Sequence, residues 1–347
     1  MAVAKKRMVY LDLLKVIAIF LVIYNHSHQY MNDTNSLVKS LHYLTYDMCK
    51  VAVPLFIMTT GAIFLGRQTS YSEIFRKRIF RVIIPLLVVL GINIFLYGGD
   101  LKGILLSPFV IYIIPEYPYW VWYLYMLIGL YMVTPFLQRM IKNFKEKDYM
   151  VFFALFLILP SVLEMFPYIT NIVFGEPYKF VESFSLCTFS ICIGYYVLGY
   201  YLNNKVITSK MVKISSIVYV LFVILGTVYL YLGINKFSLT FDTLISYQSF
   251  LICIPSLCVF VIFKYFIGDR LKNEHINNII YNLSNLVFGI YLFHVFITRT
   301  LYDMNFIQIT FGINTCLGVL ILDILCFVIT AFIVYLLRLI PVFKKFL

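Results

Sequence analysis

The chain has 347 residues, of which 62% are hydrophobic and 13% charged, with a formal net charge of +12. Soluble domains hold about 45–50% apolar and about 25% charged residues, and a soluble fold of this length has no interior large enough for the excess. Composition therefore excludes a secreted disulfide scaffold, a disordered chain and a nucleic-acid-binding domain. It leaves a polytopic membrane protein whose surplus of cations reflects orientation.

In chain order, spans of about 20 apolar residues are expected at 9–28, 46–65, 79–98, 120–140, 149–166, 184–202, 214–232, 244–263, 279–298 and 313–337. Lys5, Lys6 and Arg7 before the first run imitate a signal peptide. That run is too long for the apolar core of one, carries Asp12, Lys15 and His26, and lacks a small-residue cleavage site, so it reads as a retained span. Pro54, Gly61, Pro85, Pro135 and Pro255 fall inside spans, where membrane helices tolerate them.

Most of the 28 Lys and Arg residues fall in segments on the N-terminal side of this frame. The opposite side keeps Lys39, Lys102, Lys179, Lys236 and Arg299. This asymmetry predicts an all-α integral membrane protein, a bundle of about ten transmembrane helices with both termini cytoplasmic. Residues 1–347 read as a single transmembrane domain with no extracytoplasmic hydrolase-like domain. The longest outer loop contains an apolar stretch at 104–114, too short to span, which reads as interfacial or re-entrant. The Tyr and Trp residues around it suit an aromatic belt or a carbohydrate-stacking surface.

The seven cysteines are odd in number, lie in apolar stretches and form no CxxC pair, and the five histidines are scattered. Neither a disulfide framework nor a metal site is expected. No convincing internal repeat is present, which weighs against a transporter built from inverted halves.

Ionisable residues inside spans are costly and mark sites by default. On the first helix Lys15 and His26 are eleven residues apart, so they lie within about 20° of each other and about 16 Å apart along the axis. Asp12 shares that broad face, while His28 points to the opposite side. A structural Asp12–Lys15 pair is the simpler alternative. Arg76, Lys77, Arg78 and Arg81 open the third span. Guanidinium forks at Arg78 and Arg81 suit phosphate, and a positive-inside flank is again the simpler reading. Trp122 and Tyr123 open the fourth span, and Tyr291 and His294 share a face of the ninth. Asp323 falls near mid-span and calls for a partner, Lys15 or a backbone group. Asp47 and Lys50 read as a local i, i+3 pair.

Together these segments resemble the membrane-bound acyltransferase family 3. The resemblance is carried by Leu11-Asp12, Lys15 and His26 with ten residues between the last two. It continues with Val53-Pro54-Leu55-Phe56 and Gly61, then Arg78-Ile79-Phe80-Arg81 with Pro85. Trp122-Tyr123-Leu124 with Tyr131 and Pro135, and Gly289 to His294, complete it. Thr60 stands where the family usually has Ser, and between 150 and 280 only hydropathy agrees.

The resemblance implies transfer of an acyl group, usually acetyl from acetyl-CoA, to a hydroxyl of a cell-surface or lipid-linked glycan. By it His26 is the catalytic base or an acyl relay, an imidazole being the side chain that titrates near neutrality. Asp12 and Lys15 assist it. Arg78 and Arg81 hold the CoA phosphates, with Lys15 along the pantetheine path. Trp122, Tyr123, Tyr291 and His294 orient the acceptor. No metal is implied. The expected setting is the bacterial plasma membrane, with the bilayer and a glycan acceptor as partners, no nucleic acid, and a homodimer compatible with this reading. Two competing readings keep the same sequence features: the same fold with succinyl-CoA as donor, and a transporter of a small molecule or lipid-linked glycan.

Overall fold

The computed structural model describes residues 7–31, 36–98, 118–164, 188–237, 241–268, 270–305 and 316–347. Among these the regular structure is entirely helical, and eight helices are long and apolar enough to cross a membrane. Apolar runs of this length form helices because only intrahelical hydrogen bonds satisfy the backbone in lipid.

Helix α1 (Val9–Ser27) ends in a 3-10 turn, His28–Tyr30. The second expected span is two helices, α2 (Ser36–Cys49) and α3 (Ala52–Phe64). Pro54 explains the break at Lys50 and Val51, since its ring clashes with the carbonyl four residues earlier and it donates no hydrogen bond. Helix α4 (Tyr71–Tyr97) begins eight residues before the expected edge at 79. Ser70 caps it by accepting from the Glu73 backbone N–H at 3.2 Å, so the S-x-x-E pattern at 70–73 marks a start that hydropathy overlooks.

Helix α5 (Trp122–Ile141) follows a 3-10 turn at Tyr119–Val121. Helices α6 (Glu146–Phe153) and α7 (Thr188–Asn204) correspond to the fifth and sixth expected spans, and the chain between them, 165–187, lies outside the described residues. So does the stretch 104–114 expected at the interface. Helices α8 (Ser209–Phe237), α9 (Phe250–Ile267), α10 (Glu274–Asp303) and α11 (Cys316–Leu339) complete the bundle.

Contacts between helix ends show the alternation of direction. At the basic end, Arg7 lies over the Tyr281 ring at 3.8 Å, Thr69 bonds Gln138, and Tyr10 bonds Asn203. At the opposite end Tyr24 bonds Thr45 at 2.6 Å, Tyr30 stacks on Tyr302 at 3.9 Å, and Trp122 stacks on Tyr247 at 5.6 Å. Helix α1 sits centrally, packed against α3, α10 and α11.

Lys264, at the end of α9, donates to the carbonyls of Leu202, Asn203 and Lys205 at 2.8, 2.7 and 2.7 Å. These include C-terminal carbonyls of α7 that have no intrahelical partner, and a cation there also meets the negative end of the helix dipole. Lys264→Met keeps the apolar stem and removes the three bonds. Hydrogen bonds to charged groups contribute about 1.5–3 kcal/mol each at most, so a loss of about 2 kcal/mol is expected, read as a lowered Tm of the detergent-purified protein. An unchanged Tm would show that water replaces the ammonium there.

Candidate active site

His26 lies on the last full turn of α1, half-buried at the non-basic end of the bundle. Its ring centroid is 5.2 Å from that of His294 on α10 and 5.4 Å from that of Tyr119 before α5. His294 is fully buried, and its Nδ1 lies 2.7 Å from the Tyr291 carbonyl oxygen. A carbonyl only accepts, so Nδ1 carries the proton and donates. Nε2 then presents a lone pair, and it is buried without a hydrogen-bond partner. The Tyr291 hydroxyl donates to the Trp120 carbonyl, which ties α10 to the start of α5. Tyr123 packs against Tyr291 with centroids 5.4 Å apart.

These side chains bound two cavities. The smaller, of about 30 Å³, is lined by Asn25, His26, Val53, Phe56, Tyr123 and Tyr291, with Trp120 and Trp122 beside them. Its volume is about that of one water in the liquid. The larger, of about 620 Å³, opens at the same end and is lined by Asn93, Tyr97, Tyr119, Trp120, Arg299 and Asp303, among others. Trp120 borders both. Arg299 lies 4.3 Å over the Tyr97 ring. Aromatic faces combined with amide and charged side chains are surfaces on which a polyhydroxyl ligand can both stack and hydrogen-bond.

The structure thus brings His26, His294, Tyr291, Tyr123 and Trp122 together. It does not bring Asp12 and Lys15 to them. Asp12 is held at the basic end by Arg7 at 2.8 Å, Lys15 at 3.4 Å and the Ser284 hydroxyl at 3.1 Å, joining α1 to α10. Three turns of α1 separate this cluster from His26. His28 points away, as the helical angle requires, with its Nδ1 3.3 Å from His42 Nε2.

Arg78 and Arg81 do not share an environment. A π-helical stretch, Ile74–Ile79, changes the winding ahead of Arg81, so the 100° spacing assumed from sequence does not hold. Arg78 is half-buried, with its guanidinium 4.7 Å over the Phe64 ring and its Nε buried without a hydrogen-bond partner. Arg81 is exposed. Asp323 is fully buried near Ser27 and is not paired with Lys15. Ser27 donates its hydroxyl to the Tyr24 carbonyl, and both Asp323 oxygens lack a hydrogen-bond partner. Lys50 places its ammonium 4.6 Å over Tyr46, and Asp47 Oδ1 is buried without a hydrogen-bond partner, so the expected local pair does not satisfy that oxygen.

Sequence reasoning passes over Asn25, Asn93, Tyr97 and Arg299. Asn93, 2% exposed in the apolar run Gly91 to Leu96, carries a legible signal, since a buried amide needs partners. Arg299 counts only toward topology when the sequence is read alone.

The family model described as an acyltransferase domain, acyltransferase family 3, matches residues 8–339. No curated protein and no solved structure matches the chain.

Proposed function

This chain belongs to acyltransferase family 3, and from that premise we propose that it moves acetyl from acetyl-CoA at the basic, cytoplasmic face to a glycan hydroxyl at the opposite face. That it is a multi-pass membrane acyltransferase follows from the family and the eight apolar helices. The acetyl donor, the glycan and the role of His26 are our reading. The observation that carries it is the place of His26, which lines the small cavity and packs on Tyr119, a wall of the large one.

The large cavity takes the acceptor sugar on its aromatic faces. The small one, which His26 lines together with Tyr123 and Tyr291, marks where the acyl carbonyl of the donor meets His26. His26 takes the proton of the acceptor hydroxyl while that oxygen attacks the thioester carbonyl carbon. The resulting tetrahedral adduct expels the CoA sulfur as the C–S bond breaks, and the proton passes from His26 to the leaving thiolate. The His294 ring, with its centroid 5.2 Å from that of His26 and an unprotonated Nε2, is a polar neighbour for the cation that forms on His26. Tyr291 and Trp120 keep the ring positions fixed through their shared hydrogen bond.

Inside-out membrane vesicles from producing cells carry the native surface glycan in their lumen. Supplied outside with acetyl-CoA bearing a labelled acetyl group, they are expected to release CoA thiol to the medium and to gain label on the luminal glycan. Thiol release without labelled glycan, or the absence of both, would overturn the reading.

A further inference from the structure

The large cavity at the non-basic end carries charge that the acyl-transfer step does not use. Arg299 and Asp303, both exposed and one turn apart on α10, line one wall of it. Arg299 is the only arginine among Lys39, Lys102, Lys179, Lys236 and Arg299, the cations that the charge pattern leaves at this end. It runs against the bias that orients membrane proteins, so topology does not account for it. No ion pair among the described residues joins Arg299 or Asp303 to a partner or to each other.

The wall is ordered around the cation. The Arg299 guanidinium lies 4.3 Å over the Tyr97 ring. Tyr97 is parallel to Phe296 with centroids 6.4 Å apart, and Phe296 meets Trp120 edge-on at 5.3 Å. A guanidinium held over a ring by cation–π attraction still has its N–H fork for a bidentate oxyanion. Tyr30 and Tyr302, two more wall residues, stack at 3.9 Å and pin the end of α1 to α10. Gln29, also in the wall, donates to the His26 carbonyl at 3.2 Å. These contacts fix Arg299 relative to His26. Along α10, Arg299 lies about 7–8 Å beyond His294, and Asp303 lies about 6 Å further out. The His294 and His26 rings are 5.2 Å apart. The cation is therefore nearer the reacting end and the carboxylate nearer the rim.

We propose that the acceptor is an acidic glycan, and that Arg299 pairs with a carboxylate or phosphate about one sugar residue from the hydroxyl that His26 deprotonates. The proposal rests on the acetyl-to-glycan reading above and deepens it. Asp303 accepts from sugar hydroxyls further out, and its charge keeps the acidic group on the Arg299 side. The tyrosine faces carry the apolar faces of the rings. Pairing at one end of the sugar turns one hydroxyl toward the imidazole, which is the orientation that transfer needs. Carboxylate and phosphate share this chemistry, and the test separates them.

The full chain in nanodiscs is given acetyl-CoA with a labelled acetyl group and envelope glycan from producing cells. The glycan is freed of acyl groups by mild alkali, sheared, and separated by ion exchange into acidic, neutral and cationic pools. Label is expected in the acidic pool. Loss of acceptor activity after carbodiimide amidation identifies a carboxylate, and loss after hydrofluoric acid identifies a phosphate. Arg299→Gln is expected to lower kcat/KM for the acidic pool about 10- to 100-fold, mostly through KM. Arg299→Lys, which keeps the charge and loses the fork, falls between. Added salt raises the wild-type KM and leaves that of Arg299→Gln unchanged, a difference that lost packing on Tyr97 does not produce. Lys236→Gln, at the same end but outside the cavity, is expected to leave KM unchanged. Equal labelling of neutral fragments, or a preference for cationic ones, overturns the proposal while acetyl transfer to glycan stands. So does a KM that Arg299→Gln does not change. CoA release with no pool labelled overturns the proposal together with that reading. The pool preference of the wild type decides the question even where Arg299→Gln lowers the Tm.

Discussion

His26→Ala is expected to lower acyl transfer about 10³-fold, within the range that a positioned general base contributes, while membrane insertion and Tm stay close to wild type. The ring is half-buried between Tyr119 and His294, so its removal opens a gap beside an existing cavity without exposing core packing. Loss of rate with an intact fold therefore isolates chemistry from structure. Imidazole added to the medium should restore part of the rate, because the space left by the side chain adjoins the small cavity. Turnover is read as CoA thiol release and as acetyl on the glycan. Full activity in this variant would remove His26 from the mechanism, and loss of activity with loss of folded protein would make it a packing residue.

The largest effect on stability is expected for Gly61→Ala. Helices α3 and α7 approach so closely at this position that a Cβ on Gly61 would overlap the backbone carbonyl of Tyr196. The contact is reciprocal, since a Cβ on Gly199 of α7 would overlap the backbone of Met58 on α3. Ordinary overpacking costs about 1–3 kcal/mol when side chains can shift. Here the obstructing atoms are main chain, so the helices themselves must part, and about 3 kcal/mol or more is expected. Small residues at such crossings are what allows membrane helices to pack, because lipid supplies no hydrophobic drive between them. Gly91→Ala is the control: nothing lies within 4 Å of its would-be Cβ, and alanine favours the helix by up to about 1 kcal/mol. A clear drop in Tm for Gly61→Ala beside none for Gly91→Ala is the expected pattern. Equal Tm values would mean that α3 and α7 do not touch backbone to backbone.

Much of the active-site helix is legible in the sequence. The eleven-residue spacing of Lys15 and His26 and the opposite direction of His28 follow from the helical period alone, and α1 keeps that period over its whole length. The same reasoning fails at Arg78 and Arg81, because the winding between Ile74 and Ile79 is not that of an α-helix. The break before α3 and the early start of α4 do have local signals, Pro54 and Ser70-x-x-Glu73. A search for runs of about 20 apolar residues passes over both, because it weighs side-chain transfer energies and ignores which backbone groups are satisfied. Gly61 looks merely tolerated within its span, yet it permits a helix contact.

The sequence by itself determined that the chain lives in a bilayer, which segments are helical, which end is basic, and which way each residue of a regular helix points. Those properties are local: they depend on side-chain transfer energies, on backbone hydrogen bonding within one segment and on a fixed angular period. Only the tertiary structure decided which faces meet. It set His26 beside His294, left Asp12 with Arg7 and Ser284, and gathered Tyr30, Tyr97 and Arg299 from separate segments around one cavity. Between helices in lipid the selecting forces are close packing at small residues and a few polar contacts, and these depend on pairs of residues far apart in the chain.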